Sequence, residues 1–181
     1  MNPADSIVRS AKPEDRQEVW RLLLQGHREN GLFELSTDKV NWLLDRVLSP
    51  ETIAPNDIGP RGLIGVIGEP GKLEAIAFLL IGQFWYSSDP HLEELIVFVD
   101  PECRKSHHAQ EIIAWMKRTS DVLDIPILTG IISKDRTAAK IRLYDRFLPR
   151  IGAFYLYPIN GKDVKRKNHH MQRDAWLQAS K

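Results

Sequence analysis

One stretch of this chain limits the folds open to it more than any other: LEELIVFVDPECRKSHHAQEIIAWM, residues 92–116. Its first part, Leu92 to Val99, is rich in β-branched and bulky apolar residues, which suits a buried strand. Asp100-Pro101 stops that strand, because proline cannot extend a central one. After a polar turn, Ala109, Ile112, Ile113 and Met116 fall at helical spacing and form one apolar stripe. Between strand and helix lies Arg104-Lys105-Ser106-His107-His108. A helix start offers unpaired backbone N–H groups and a partial positive charge. With an arginine, a lysine and a serine beside it, it forms an anion site suited to a pyrophosphate.

The elements around this unit follow in a readable order. Ser6 to Ser10 is a short strand, and Lys12-Pro13-Glu14-Asp15 opens a helix carrying Val19, Trp20, Leu22, Leu23 and Leu24. Gly31-Leu32-Phe33 is either a loop folded on the core or one wall of an acceptor pocket. Ser36 or Thr37 caps a second helix, whose stripe is Val40, Leu43, Leu44, Val47 and Leu48. Residues 51–61, with two prolines and one glycine, form a loop. Leu63 to Ile67 and Leu73 to Gln83 make an antiparallel hairpin around Glu69-Pro70-Gly71-Lys72. Phe84-Trp85-Tyr86 is an aromatic loop. Such a cluster can stack on a planar acceptor, but the favoured reading is packing over a sheet edge or a dimer partner. Ile125 to Ile132 follows the long helix closely, so it pairs parallel to the strand before that helix. Ser133 to Phe147 is a late helix, Phe154 to Pro158 a last strand, and Asp174 to Ala179 a short helix or frayed tail.

Val99-Asp100-Pro101-Glu102-Cys103-Arg104-Lys105-Ser106-His107-His108-Ala109 resembles the acyl-CoA-binding turn of the GNAT superfamily of N-acyltransferases, V-x-P-x-x-R-x-x-G-x-G/A. Val99, Pro101, Arg104 and Ala109 match in register. His107 stands at a glycine position and Lys105 where glycine is frequent. Glycine lets a backbone approach pyrophosphate closely, so the turn is a variant, similar to R-x-S-x-x-A turns in a phage/bacterial-type subfamily. A second segment resembles the family's N-x-x-A-x-x-L-Y-x-K-x-G-F. Leu143-Tyr144 and Gly152-Ala153-Phe154 are present, Thr137 and Lys140 depart, and the link to the glycine is longer.

The resemblance implies an α/β fold with a GNAT-like mixed, partly splayed β-sheet and helices on both faces. It implies a reaction in which an acetyl (or other acyl) group moves from acyl-CoA to a primary amine by direct attack. The backbone of Val97, Phe98 and Val99 would bond the pantetheine arm like an added strand. Arg104, Lys105, Ser106, His107, His108 and Ala109 would hold the pyrophosphate. The base is Glu93 or Glu94, with His91 a weaker option. Alternation places Glu93 with Leu95, Val97 and Val99, and Glu94 with Ile96 and Phe98. A glutamate near an apolar strand has a raised pKa, which suits a base. Tyr144 matches the tyrosine near the cofactor sulfur and is the candidate acid. Acetyl-CoA or another acyl-CoA is the expected co-substrate, and no metal is expected: adjacent histidines such as His107-His108 and His169-His170 point to different faces, and no carboxylate or cysteine is spaced to complete a site.

Composition narrows the setting. The 181 residues suit one domain, 1–160, with a basic tail at 161–181. No apolar run approaches the roughly 20 residues that span a bilayer, and no secretory signal is visible. The single cysteine, Cys103, rules out an internal disulfide framework and points to a reducing, cytoplasmic setting. A cysteine nucleophile is disfavoured for want of a paired base. The formal net charge of +1 gives no global case for nucleic acid. Two rivals remain: an acyl-CoA-binding or regulatory protein without turnover, and a nucleic-acid-directed modification protein using the tail and the aromatic loop. The acceptor is a small-molecule or protein amine, no membrane partner is expected, and the apolar segment after Gly152 would help a homodimer.

Overall fold

The computed structural model describes residues 7–49, 57, 59–133 and 136–155. The elements are β1 (Arg9–Ser10), a 3-10 turn (Pro13–Asp15), α1 (Arg16–Asn30), α2 (Thr37–Leu48), β2 (Arg61–Glu69), β3 (Lys72–Gln83) and β4 (Pro90–Val99). A second 3-10 turn (Pro101–Cys103), α3 (His108–Leu123), β5 (Ile127–Leu128) and α4 (Thr137–Tyr144) follow. The strands lie in the order β1-β2-β3-β4-β5, antiparallel up to β4, with β5 parallel to β4. This is the expected mixed sheet with helices on both faces.

Alternation along β2 and β3 supplies two apolar faces. On one, Val66, Ile76, Phe78 and Phe98 pack with Leu22 of α1 and with Leu44 and Leu48 of α2. On the other, Ala75, Ala77, Leu79 and Leu92 pack with Ile112 and Met116 of α3. The helical stripes read from sequence are therefore the buried ones. Ser36 caps α2 as expected, accepting a hydrogen bond from the Lys39 amide. Proline at 13 gives a 3-10 turn first, and α1 proper begins at Arg16. Buried Asp15 accepts from Arg9 and from the Lys12 amide, tying β1 to the start of α1.

Several expectations change. The strand expected over Ile125 to Ile132 is reduced to Ile127–Leu128, because only Leu92 and Glu93 of β4 pair with it. Past that point the two chains part. The late helix expected from Ser133 to Phe147 covers only Thr137–Tyr144, with turns after it. Alternation along β4 is broken by a bulge: Ile96 lies opposite Phe78 but Glu94 lies opposite Leu79, leaving Leu95 as the extra residue. Glu94 therefore shares a face with Val97 and Val99, not with Ile96 and Phe98. Phe154 and Tyr155 are in no regular element. The rest of the expected last strand, the 161–181 tail with His169-His170, Asp135, Ser6 and most of the 51–61 loop lie outside the described residues.

Candidate functional site

Where β4 and β5 diverge, a cleft of about 740 Å³ opens. One wall is β4 from Glu93 to Val99. The opposite wall is residues 128–133 and the inner side of α4. The floor reaches α1 at Gly26 and Asn30, and the α3 turn closes one end. Most of the lining is apolar. Because β5 pairs with only two residues of β4, the β4 edge beyond Glu93 is open to the cleft.

The bulge puts the two glutamates in different surroundings. Glu93, an exposed residue, lies opposite Leu80. Glu94 meets α4: the Tyr144 hydroxyl donates to Glu94 Oε2 at 2.8 Å. The Val97 amide also donates to the Glu94 carboxylate, so one of the three β4 segments expected to bond a pantetheine arm is already engaged. Burial pushes the Glu94 carboxyl up to about 7, against the opposing pull of Tyr144, the Val97 amide and the charge of Lys140. Burial, with the Glu94 charge beside it, pushes the Tyr144 phenol well above its ordinary value. Two candidates 50 residues apart in sequence thus form one proton-sharing pair. Lys140, which departs from the family pattern, donates to Asn30 Oδ1 at 2.8 Å and to Ser133 Oγ at 2.7 Å. Asn30 and Ser133 carried no motif, and only the fold brings them to this site.

His91 is not brought to the pair. It is buried opposite Gly82, stacks on Phe84 with centroids 4.7 Å apart, and does not line the cleft. Phe84 stacks on Tyr86, Trp85 meets Tyr86 edge-on, and none of the three lines the cleft. Gly31-Leu32-Phe33 does line it, with Leu35, Val40 and Leu43. The turn is therefore part of the cleft wall.

The turn before α3 shows how a histidine occupies a glycine position. His107 has φ −90° and ψ 9°, and the residues with positive φ among those described are Gly68, Gly71, Asp124 and Arg136. The turn therefore asks for no left-handed residue. The Ser106 and His108 amides are used inside it, bonding Cys103 O and Ser106 Oγ. Those of Lys105, His107 and Ala109 have no partner among the described residues. Arg104, Ser106 and Ala109 line the cleft, while Lys105 and His107 are exposed beside it. The Arg104 guanidinium is bound by Glu29 of α1 at 2.5 and 2.7 Å, bonds Val99 O and lies over the Phe98 ring. Its charge is shared with Glu29, a residue no motif marked. His108 turns away from the cleft, its Nε2 2.6 Å from Glu74 Oε2. Burial and the charge of Glu74 raise the Cys103 thiol, which does not favour a thiolate nucleophile.

The sequence matches no family model and no curated protein. Solved structures do match the fold. A possible acetyltransferase from Clostridium difficile 630 superposes with a TM-score of 0.60 at 16% identity, over 84% of this chain and 96% of the other. The aminoglycoside N-acetyltransferase AAC(6')-Iy, in complex with a CoA-S-monomethyl-acetylneamine bisubstrate analog, gives 0.62 at 14%, over 83% and 95%. A ribosomal-protein-alanine N-acetyltransferase from Brucella melitensis biovar Abortus 2308 gives 0.58 at 9%, over 83% and 96%. The chain has the GNAT acetyltransferase fold. At these identities the likeness speaks for the fold, and the chemistry has to be argued from the cleft. Among the described residues no helix is long and apolar enough to cross a membrane.

Proposed function

We propose that this protein is a GNAT N-acyltransferase that moves an acetyl or other acyl group from acyl-CoA to a primary amine by direct attack. The observation that carries the reading is the Glu94–Tyr144 pair, set at the point where β4 and β5 part. Neighbours of the same fold were solved with CoA or a CoA bisubstrate analog. In this reading the pantetheine arm lies along the open edge of β4 by Phe98 and Val99. The pyrophosphate rests on the amides of Lys105, His107 and Ala109, with the exposed Lys105 side chain beside it. The acceptor enters past Leu32 and Phe33.

The proton path follows from the pair. Glu94, poised near 7, takes a proton from the acceptor ammonium and so frees the amine lone pair. The amine nitrogen bonds the thioester carbon, and the carbon–sulfur bond breaks as the tetrahedral intermediate collapses. Tyr144 gives its proton to the leaving thiolate and is reprotonated by Glu94. The second ammonium proton leaves from the new amide nitrogen to solvent. One proton has passed from amine to thiol through two side chains, and the pair returns to its starting state.

The test is CoA release from acetyl-CoA in the presence of a panel of primary amines, with wild type, Glu94→Gln and Tyr144→Phe. Amine-dependent release that both variants depress supports the reading. Acetyl-CoA binding without release for any amine would move the protein to an acyl-CoA-binding role, and no binding at millimolar acetyl-CoA would remove the cofactor from the account.

A further inference from the structure

On the far side of the α3 turn, three side chains with metal-ligating atoms meet outside the cleft. Glu74 comes from β3, Cys103 ends the 3-10 turn after β4, and His108 is the first residue of α3. None of the three lines the acyl-CoA cleft. One carboxylate oxygen, the sulfur and one imidazole nitrogen all lie within 4.8 Å of one another. Sequence spacing alone gave no hint of this, since Glu74 and His108 are 34 residues apart.

The geometry is close to what a small cation needs. Zinc bonds of about 2.0–2.3 Å in a tetrahedron put ligand atoms about 3.3–3.8 Å from one another. The His108 Nε2 to Glu74 Oε2 separation of 2.6 Å must open by about 1 Å, and a separation near the 4.8 Å bound must close by about as much. The donor set mixes sulfur, nitrogen and oxygen, which suits a borderline-soft divalent ion and disfavours magnesium or calcium. The His108 side chain is only 14% exposed and Glu74 35%, so the group is sheltered but open on one side for a water. The backbone of the site is fixed: the Cys103 amide donates to Asp100 O, and Ser106 Oγ donates to Cys103 O. Asp100 and Glu102 add negative charge around the sulfur, part of it balanced by Arg21 on Asp100.

We propose that Glu74, Cys103 and His108 form a mononuclear site for a borderline-soft divalent cation, zinc in the first place, with water as the fourth ligand. Binding releases the Cys103 thiol proton to solvent and leaves the sulfur as thiolate, Glu74 as carboxylate and His108 as neutral imidazole. The ion joins β3, the 3-10 turn and the start of α3 at one point. This site is independent of the reading of the cleft.

The test is titration of the reduced, metal-free full chain with cobalt(II), followed by zinc. Intense tetrahedral ligand-field bands and a thiolate-to-cobalt charge-transfer band are expected at one equivalent, and zinc should displace both. The chain has one cysteine, so that band can come only from Cys103. Cys103→Ser should abolish it, and Glu74→Gln and His108→Ala should each weaken zinc binding at least tenfold, while His107→Ala leaves it unchanged. In the unmodified chain, saturating zinc should slow alkylation of Cys103 by iodoacetamide at least tenfold. Absence of the charge-transfer band at excess cobalt, an alkylation rate that zinc does not change, or zinc affinity indifferent to Glu74→Gln and His108→Ala would each overturn the proposal.

Discussion

At the scale of single residues, Glu94 carries the sharpest consequences. A base must be ionised to act, so with Glu94 at about 7 the amine-dependent rate should rise with pH through that value and then level. Glu94→Gln should cost about 10²–10⁴ in kcat and remove that limb. Tyr144→Phe removes the hydrogen bond that pulls the Glu94 value down, so the limb should move to higher pH while kcat falls. A pH–rate profile for the two variants checks both statements, and an unmoved limb in Tyr144→Phe would break the link between them. The same shift bears on stability. Folding raises the Glu94 value from 4.5 to about 7, so the folded state holds the extra proton between those values. That contribution is full below 4.5 and lost as pH rises through 7. Glu94→Gln, which keeps an acceptor for Tyr144, should therefore be more stable than wild type at pH 8, by about 1–3 kcal/mol. Parallel stability curves from pH 5 to 8 would count against a buried, shifted Glu94. Sequence reading reached the pair Glu93 or Glu94 and Tyr144 but had no way to choose between the glutamates. The choice depends on an extra residue at Leu95, and one inserted residue reverses every inference drawn from alternation.

Among elements, the contact of α1 with β4 and the α3 turn is what positions the cleft. Gly26 makes that approach close. A Cβ there would stand 2.7 Å from Ile96 Cδ1 and 3.0 Å from Phe98 Cδ2. Nearby, Arg104 bridges the turn to α1 through Glu29 and bonds Val99 O. Arg104 was marked by the motif for its charge, but its surroundings give it a second role in holding turn and helix together. Arg104→Ala should destabilise the fold by about 1–3 kcal/mol, because Glu29 loses a half-buried partner. The variant should still gain stability from acetyl-CoA, since the amides of the turn remain. Thermal unfolding with and without acetyl-CoA separates the cases: an unchanged melting temperature with no ligand response would instead make Arg104 a direct anion ligand. The helices were legible because their stripes are long and face a core on one side. The ends of the late helix and of β5 were not, because neither is fixed by a regular apolar period. The late helix has no fully buried residue, and β5 keeps only the two residues that reach Leu92 and Glu93.

For the molecule as a whole, the order of elements from β1 to α4 was readable and the resemblance implied a splayed sheet, but the residue at which β4 and β5 part was not readable, because a strand that stops pairing looks in sequence like one that continues. That gap has a thermodynamic consequence. The antiparallel part of the sheet, β1 to β4, is held by long ladders and a core on each face. The segment from β5 onward is joined to it by two paired residues, by the Leu92 amide on Pro126 O, and by side chains such as Tyr144 on Glu94. Local opening should therefore be easiest there. A ligand lying between β4 and residues 129–133 would contact both parts and penalise that opening. At about 100 times its dissociation constant acetyl-CoA contributes roughly 2.7 kcal/mol, which corresponds to about a hundredfold slower exchange for amides that need the segment to open. Hydrogen exchange should thus show strong protection by acetyl-CoA in residues 127–133 and α4 and at the start of α3, with little change in β2. Amides in β2 already sit behind the main core and open only with the whole domain. Protection confined to β2 and β3, or absent from 127–133, would mean that acetyl-CoA does not occupy the gap between β4 and β5.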